Sequence, residues 1–236
     1  MTRDNGGGRG VRETVGCAVS DNLSSTFKTW SRERHRVICR GVVRRPYPCV
    51  VSSSVSDRSL RGGHVFVDES KKQDYLLVAA VIIPGELALA RKTVRGLQKP
   101  GQRRLHMVKE SPARQHTILS TLGTLGAQVT IYQAGAGYRT NIERRGACLE
   151  RLVEDIATVG CARLMLESEQ GEEERDRRLL YRETGRRGCR DSLAYDHSTA
   201  AAEPLLAIPD AIAWAWARGG DARRRAEPLV ADVVRL

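Results

Sequence analysis

The stretch His64-Val65-Phe66-Val67-Asp68-Glu69-Ser70 limits what this chain can fold into more than any other. It begins with alternating apolar residues and stops on two acids. Successive side chains on a strand point to opposite faces. Val65 and Val67 therefore share one face, and His64, Phe66 and Asp68 share the other. Lys71-Lys72-Gln73-Asp74 then turns the chain, and a longer apolar run follows from Tyr75 to Ile83, closed by Pro84-Gly85. The pattern predicts a β-hairpin with carboxylates at the end of its first strand. Rigid backbone would present Asp68 there, as a metal site requires. Two later acids are candidates to converge on it. Glu167 ends the apolar run Leu164-Met165-Leu166, and Asp210 opens a helix from Ile208 to Arg218.

The rest of the chain alternates in type. Leu87, Ala90, Val94 and Leu97 recur at three- and four-residue intervals and predict a helix from Glu86 to Leu97. Leu105 to Val108 is expected to be a short extended piece leading into Lys109-Glu110. Ser111-Pro112 then starts a second helix, with serine at the N-cap and proline at the first helical position. Gln128 to Tyr132 alternates and is rich in β-formers, so a strand is expected. Asn141 to Thr158 predicts a helix stopped by Gly160, and Arg163 to Glu167 a short buried strand. A charged helix from Glu172 to Arg187 carries its acids first and its bases last, which suits the helix dipole. A strand at Ser192 to Asp196 and an apolar helix at Leu205 to Ala217 follow. The stretch from Asp221 to Leu236 is expected to be helical and peripheral. A hairpin followed by alternating helices and strands predicts a mixed sheet with helices on both faces.

Charge divides the chain. Of the net +11, residues 1–63 carry +7 and residues 64–236 carry +4. Residues 1–63 also lack a sustained hydrophobic period and include Gly6-Gly7-Gly8 and Ser52-Ser53-Ser54. They are expected to be a disordered basic tail, with the folded domain at 64–236. A basic tail suits weak attraction to nucleic acid, or is simply a solvated segment. The six cysteines show no zinc-knuckle or redox spacing. Free thiols in a reducing cytoplasm are expected. No apolar run approaches the ~18 residues of a membrane span, so no membrane partner is expected.

The carboxylates define the chemistry. Phosphodiester hydrolysis needs an activated water and a stabilised leaving oxygen, and two divalent ions about 3.5–4 Å apart supply both. Mg²⁺ or Mn²⁺ prefers hard oxygen ligands. Clustered acids without such ions repel and raise one another's pKa. Asp68, Glu167 and Asp210 are the expected catalytic and metal-binding residues. Each also has a plainer reading: a turn-forming Asp, a member of an acidic run, and a first-turn helix acid favoured by the dipole. Glu69 faces away from Asp68 and is expected to be structural. Glu143, Asp196, His197, Lys109 and Glu110 are lesser candidates for the cleft. Gly135-Ala136-Gly137 follows a strand and precedes a helix, as a dinucleotide loop does. However, Thr140 stands where a third glycine belongs. Trp214 and Trp216 face different ways on one helix, so one is expected to be core.

The strand ending Asp68-Glu69-Ser70, the middle-strand acid and the helix Leu205-Leu206-Ala207-Ile208-Pro209-Asp210-Ala211-Ile212-Ala213 together resemble the ribonuclease H-like fold. More narrowly, the first and last of these motifs are similar to those of an uncharacterised domain-of-unknown-function family, numbered thirty-eight hundred. That family's opening motif usually continues with glycine, where Lys71 stands here. The resemblance covers about residues 64–218 and implies a nuclease-like site. The expected function is a divalent-metal-dependent nuclease or phosphoryl-transfer enzyme acting on DNA or RNA. The alternative is a non-catalytic nucleic-acid-binding or protein-interaction module on the same fold, and a nucleotide-cofactor enzyme comes third.

Overall fold

β1 (His64–Ser70) and β2 (Tyr75–Ile82) form the expected antiparallel hairpin, with His64 paired to Ile82 and Ser70 to Leu76. The computed structural model describes residues 60–72 and 74–236, which fall within one unit, Val50–Leu236. Most of the expected tail, residues 1–59, lies outside the described residues. Leu60 to Gly63 are part of the hydrogen-bonded fold. The amide of Gly62 donates to the carbonyl of Gly160 (2.9 Å), and that of Ala162 to Gly63 (3.0 Å).

A six-stranded sheet grows from the hairpin. β3 (Gln128–Ala134) pairs antiparallel with β2, and β4 (Arg163–Glu167) pairs parallel with β1. β5 (Ala194–Ser198) pairs parallel with β4, and β6 (Val230–Arg235) parallel with β3. The strand order is β5-β4-β1-β2-β3-β6. An antiparallel β1-β2-β3 meander with β4 and β5 added in parallel beside β1 is the ribonuclease H-like arrangement. β1, β3, β4, β5 and β6 all run the same way, so their C-terminal ends, with the start of β2, form one edge of the sheet.

Helices cover both faces because the strands are apolar on both. Val65, Val67, Leu164 and Leu166 pack with Leu149, Leu152 and Val153 of α3 (Asn141–Val159) and Leu180 of α4 (Glu173–Arg186). Phe66, Val78, Ile131 and Met165 pack on the other face. There they meet α1 (Leu87–Gly96), α2 (Pro112–Leu122), α5 (Ala207–Arg218) and α6 (Gly220–Ala226). Leu149 and Ile131 are fully buried, and cutting either to alanine is expected to cost about 2–5 kcal/mol. Gly160 caps α3 in the left-handed conformation (φ 78°), which lets the chain turn straight into β4. None of the described helices is long and apolar enough to cross a membrane.

Three local expectations need correction. Residues 230–235 are not helical: they form β6, which joins the sheet beside β3. Val230, Val233 and Val234 are strand formers, and the helical reading carried the arginine-rich α6 too far. Leu105–Val108 is not a strand either, because Met107–Lys109 is a 3₁₀ turn anchored by buried Leu105 and Met107. The fifth strand begins two residues later than expected, at Ala194.

Candidate functional site

Parity along β1 sends Asp68 to the α5 face, with Phe66, and Glu69 to the α3 face, with Val65 and Val67. β4 pairs Val67 with Leu166, so Glu167 extends beside Asp68 at the same edge and on the same face. α5 packs across β1 and β2 on that face through the buried Ala211, Ile212 and Ala215. Its alanines allow a close approach, and its first turn brings Asp210 to the pair. The three expected acids therefore meet, one from each of three elements.

Their electrostatics follow from that meeting. Burial, reinforced by Glu167 and Asp210, pushes the Asp68 carboxyl up to about 9. Burial also raises Glu167, against the pull of Arg104, whose Nη1 donates to Glu167 Oε1 at 2.8 Å. Asp210 is raised by burial and restrained by His106, whose Nδ1 lies 3.8 Å from Asp210 Oδ1. The amide of Met107 donates to Asp210 Oδ2 at 3.4 Å. The 3₁₀ turn after Arg104 thus supplies the counterweights to the acids.

A cleft of about 320 Å³ opens at this edge and reaches both faces of the sheet. Asp68 and Glu167 line one side, and Glu69, Lys71, Arg145 and Glu169 line the other. On the second side Glu69 is held by Arg145 and by the Tyr75 hydroxyl. Lys71 bridges Glu69 (2.8 Å) and Glu169 (2.5 Å). Arg145 is itself buried, and its Nε and Nη2 grip Asp176 at 2.8 and 2.7 Å. Asp176 also takes His197 Nε2 at 2.9 Å. Burial alone would raise Asp176, but hydrogen bonds from Arg145 and His197 hold it below the usual carboxylate range. Glu69 is therefore fixed on the opposite face from Asp68, as expected.

The lesser candidates fall elsewhere. Glu143 completes an N-terminal cap of α3: its amide donates to the Thr140 hydroxyl oxygen, and its carboxylate accepts from the Arg139 amide (2.7 Å). Glu110 is buried and tied to Lys99 (2.8 Å) and Arg114 (2.6 Å), so it is a structural acid rather than a cleft acid. Lys109 is exposed on the 3₁₀ turn. Asp196 is exposed and accepts from the amide of His197 (2.8 Å). His197 lies on the α3 face with Asp176 rather than in the cleft. Gly135 to Gly137 make the turn from β3 into α3 and do not line the cleft. Trp214 is core and Trp216 is half-buried.

Sequence reading missed Arg104, His106, Arg145 and Asp176. Arg145 had one usable signal. It falls on the buried stripe of α3 at position 145, three and four residues before Cys148 and Leu149.

The donor set Asp68, Glu167 and Asp210 is all carboxylate oxygen, which fits a hard divalent cation. Among the described residues no group of three or more His, Cys, Asp or Glu side chains already stands at metal-holding spacing. Arg104 and His106 stand beside the acids instead. No family model matches the chain, so the likeness to the domain-of-unknown-function family rests on the two motifs alone. No curated protein matches it. Among solved structures it is similar to a chain of the PCNA:RNase HII complex from Archaeoglobus fulgidus. The identity is 17% and the TM-score 0.47, over 71% of this chain and 76% of that one.

Proposed function

We propose that the chain is a divalent-metal-dependent nuclease or phosphoryl-transfer enzyme acting on nucleic acid, with Asp68, Glu167 and Asp210 as its catalytic carboxylates. One observation carries this reading: three acids from three separate elements are gathered, half-buried, against their own repulsion at one sheet edge. Such a gathering costs stability unless a cation neutralises it. Asp68, Glu167 and Asp210 would hold Mg²⁺ or Mn²⁺, and the bound ion would supply Lewis-acid activation of water and charge stabilisation at the phosphate. The chain's own groups prepare the ground. A cation held beside Asp68 would offset the burial and the neighbouring carboxylates that raise it. Arg104 neutralises Glu167 until then and is exposed enough to turn toward a phosphate oxygen. Lys71 lines the mouth of the cleft, where a second phosphate would pass.

The test is cleavage of single- and double-stranded DNA and RNA with Mg²⁺ or Mn²⁺, by the wild type and by Asp210→Asn. Loss of cleavage with an unchanged melt supports the assignment. Cleavage that persists in Asp210→Asn removes Asp210 from the site, and nucleic-acid binding without wild-type cleavage favours the binding-module reading.

A further inference from the structure

α5 does more than deliver Asp210. It runs on along the same sheet edge, and its Trp216 stands six residues beyond Asp210, about 9 Å further along the axis. Trp216 there lines a second cavity, of about 210 Å³, with Gln133, Arg223 and Arg235. The pairing register sets the position of this cavity. Ser70, Leu76, Gln133 and Arg235 form one row across β1, β2, β3 and β6, two residues beyond the row carrying Asp68. Gln133 and Arg235 therefore emerge on the face of Asp68 and at the same edge. β6 is three strand spacings from β1, roughly 14 Å. A nucleic-acid strand advances 3.4 Å per phosphate along a duplex and further when it is single and extended, so the separation corresponds to no more than about four nucleotides.

The cavity combines two kinds of recognition. The Arg223 guanidinium lies over the Trp216 ring, 4.1 Å from its centroid, making a flat cationic platform. Arg223 has only a long contact with exposed Glu227, at 4.0 Å. Arg235 is exposed at the rim. The acid in the cavity, Asp74, is engaged by Gln133 Nε2 at 2.6 Å and leaves the arginines to other partners. Cations beside a stacked aromatic plane suit a single nucleic-acid strand, whose phosphates and base faces both need a partner. An acidic peptide would use the cations and leave the platform bare.

We infer that the Trp216–Arg223–Arg235 cavity is a subsite for a single nucleic-acid strand, a few nucleotides from the position held at Asp68. This rests on the nucleic-acid reading of the carboxylate site and adds where the flanking strand lies. The experiment measures binding without catalysis. Fluorescently labelled 15-nucleotide DNA and RNA strands, inorganic polyphosphate and a glutamate-rich peptide are titrated in EDTA, over a range of salt. The proteins are the full chain and its Arg223→Gln/Arg235→Gln, Trp216→Leu and Trp216→Phe variants, each checked by melting.

The double variant is expected to bind the strands at least tenfold more weakly. Its slope of log affinity against log salt should be shallower by about 1.4, the loss of two phosphate contacts on a single strand. Trp216→Leu should weaken the strands but not polyphosphate, and Trp216→Phe should restore much of the loss. Unchanged strand affinity and slope in the double variant overturn the subsite, as does a peptide that binds as well as the strands. Should the double variant unfold, Arg235→Gln alone decides on the same slope, with an expected change of about 0.7. Failure of the nuclease reading looks different: strands bind through Arg223 and Arg235 but are never cut with metal present.

Discussion

Glu110 and Asp68 are both acids that the fold takes out of water, and they fare in opposite ways. Burial by itself would raise Glu110, but Lys99, Arg114 and Gln102 surround it with donors and hold it at about 2. Asp68 meets two other carboxylates and is driven to about 9. Asp176 behaves like Glu110, with Arg145 and His197 as its donors. The fold is thus able to satisfy a buried acid and does so beside the cleft, yet among the described residues Asp68, Glu167 and Asp210 have Arg104, His106 and the Met107 amide at their margins. The contrast separates acids that hold the structure from acids that await a charge.

The largest effect that could break this contrast is on activity. Asp68→Asn should reduce cleavage by more than the roughly hundredfold typical of losing an outer-shell partner, with no loss of melting temperature. An equal loss of stability and activity would make Asp68 a structural acid like Glu110. Next comes Arg145→Met, which leaves buried Asp176 with His197 alone and Glu69 with Lys71 and the Tyr75 hydroxyl. Removing one partner of a buried ion pair costs about 3–5 kcal/mol, and denaturant unfolding should register it. A cost below ~1 kcal/mol would show that the paired acids are not held as described.

Metal should act on the congregated acids alone. At a hundred times its dissociation constant, Mg²⁺ or Mn²⁺ should stabilise the wild type by about 2.7 kcal/mol and leave Asp68→Asn largely unmoved in a thermal shift. The same melts without metal give the sign of the pH dependence. Asp68 binds its proton more tightly in the folded state, so its contribution favours folding at low pH. That contribution is lost as pH rises from about 4 to about 9. Glu110 works the other way: its contribution is present above its ordinary value and lost as pH falls toward about 2. Asp68→Asn should therefore flatten the decline on the alkaline side and leave the acid side alone. The smallest effect belongs to Arg104→Met. This pair with Glu167 is half exposed, so stability should change by no more than ~1 kcal/mol, while metal binds more tightly because a competing cation is gone. A cost near that of Arg145→Met would mean Arg104 is structural.

The frame of the fold was legible because its strands and helices have clean periods. Asp68 stood out as the end of an alternating strand, and Asp210 as one acid in an otherwise apolar helix. Glu167 was legible as a strand end, although glutamates crowd after it. The partners were not. Arg145 sits beside Arg144 in a helix full of charge, and its place on the apolar stripe is the one mark that separates the two. Arg104 and His106 lie in a turn without periodicity, positioned by the burial of Leu105 and Met107 from either side. β6 was missed because the helical reading ran on past the break at Pro228, and the strand is held by pairing with β3.

That pairing has a consequence in time. β6 pairs with β3 across roughly a hundred residues of intervening chain. At about 5–20 residues per second of synthesis, the outer edge of β3 waits on the order of 5–20 s on the ribosome before its partner is made. During that interval Val129 and Ile131, fully buried in the finished protein, belong to an open strand edge of the kind that invites pairing with other chains. The rate of translation across the α3 to α6 region thus becomes a determinant of yield. Slowing it should lengthen the exposure and increase aggregation of the nascent chain.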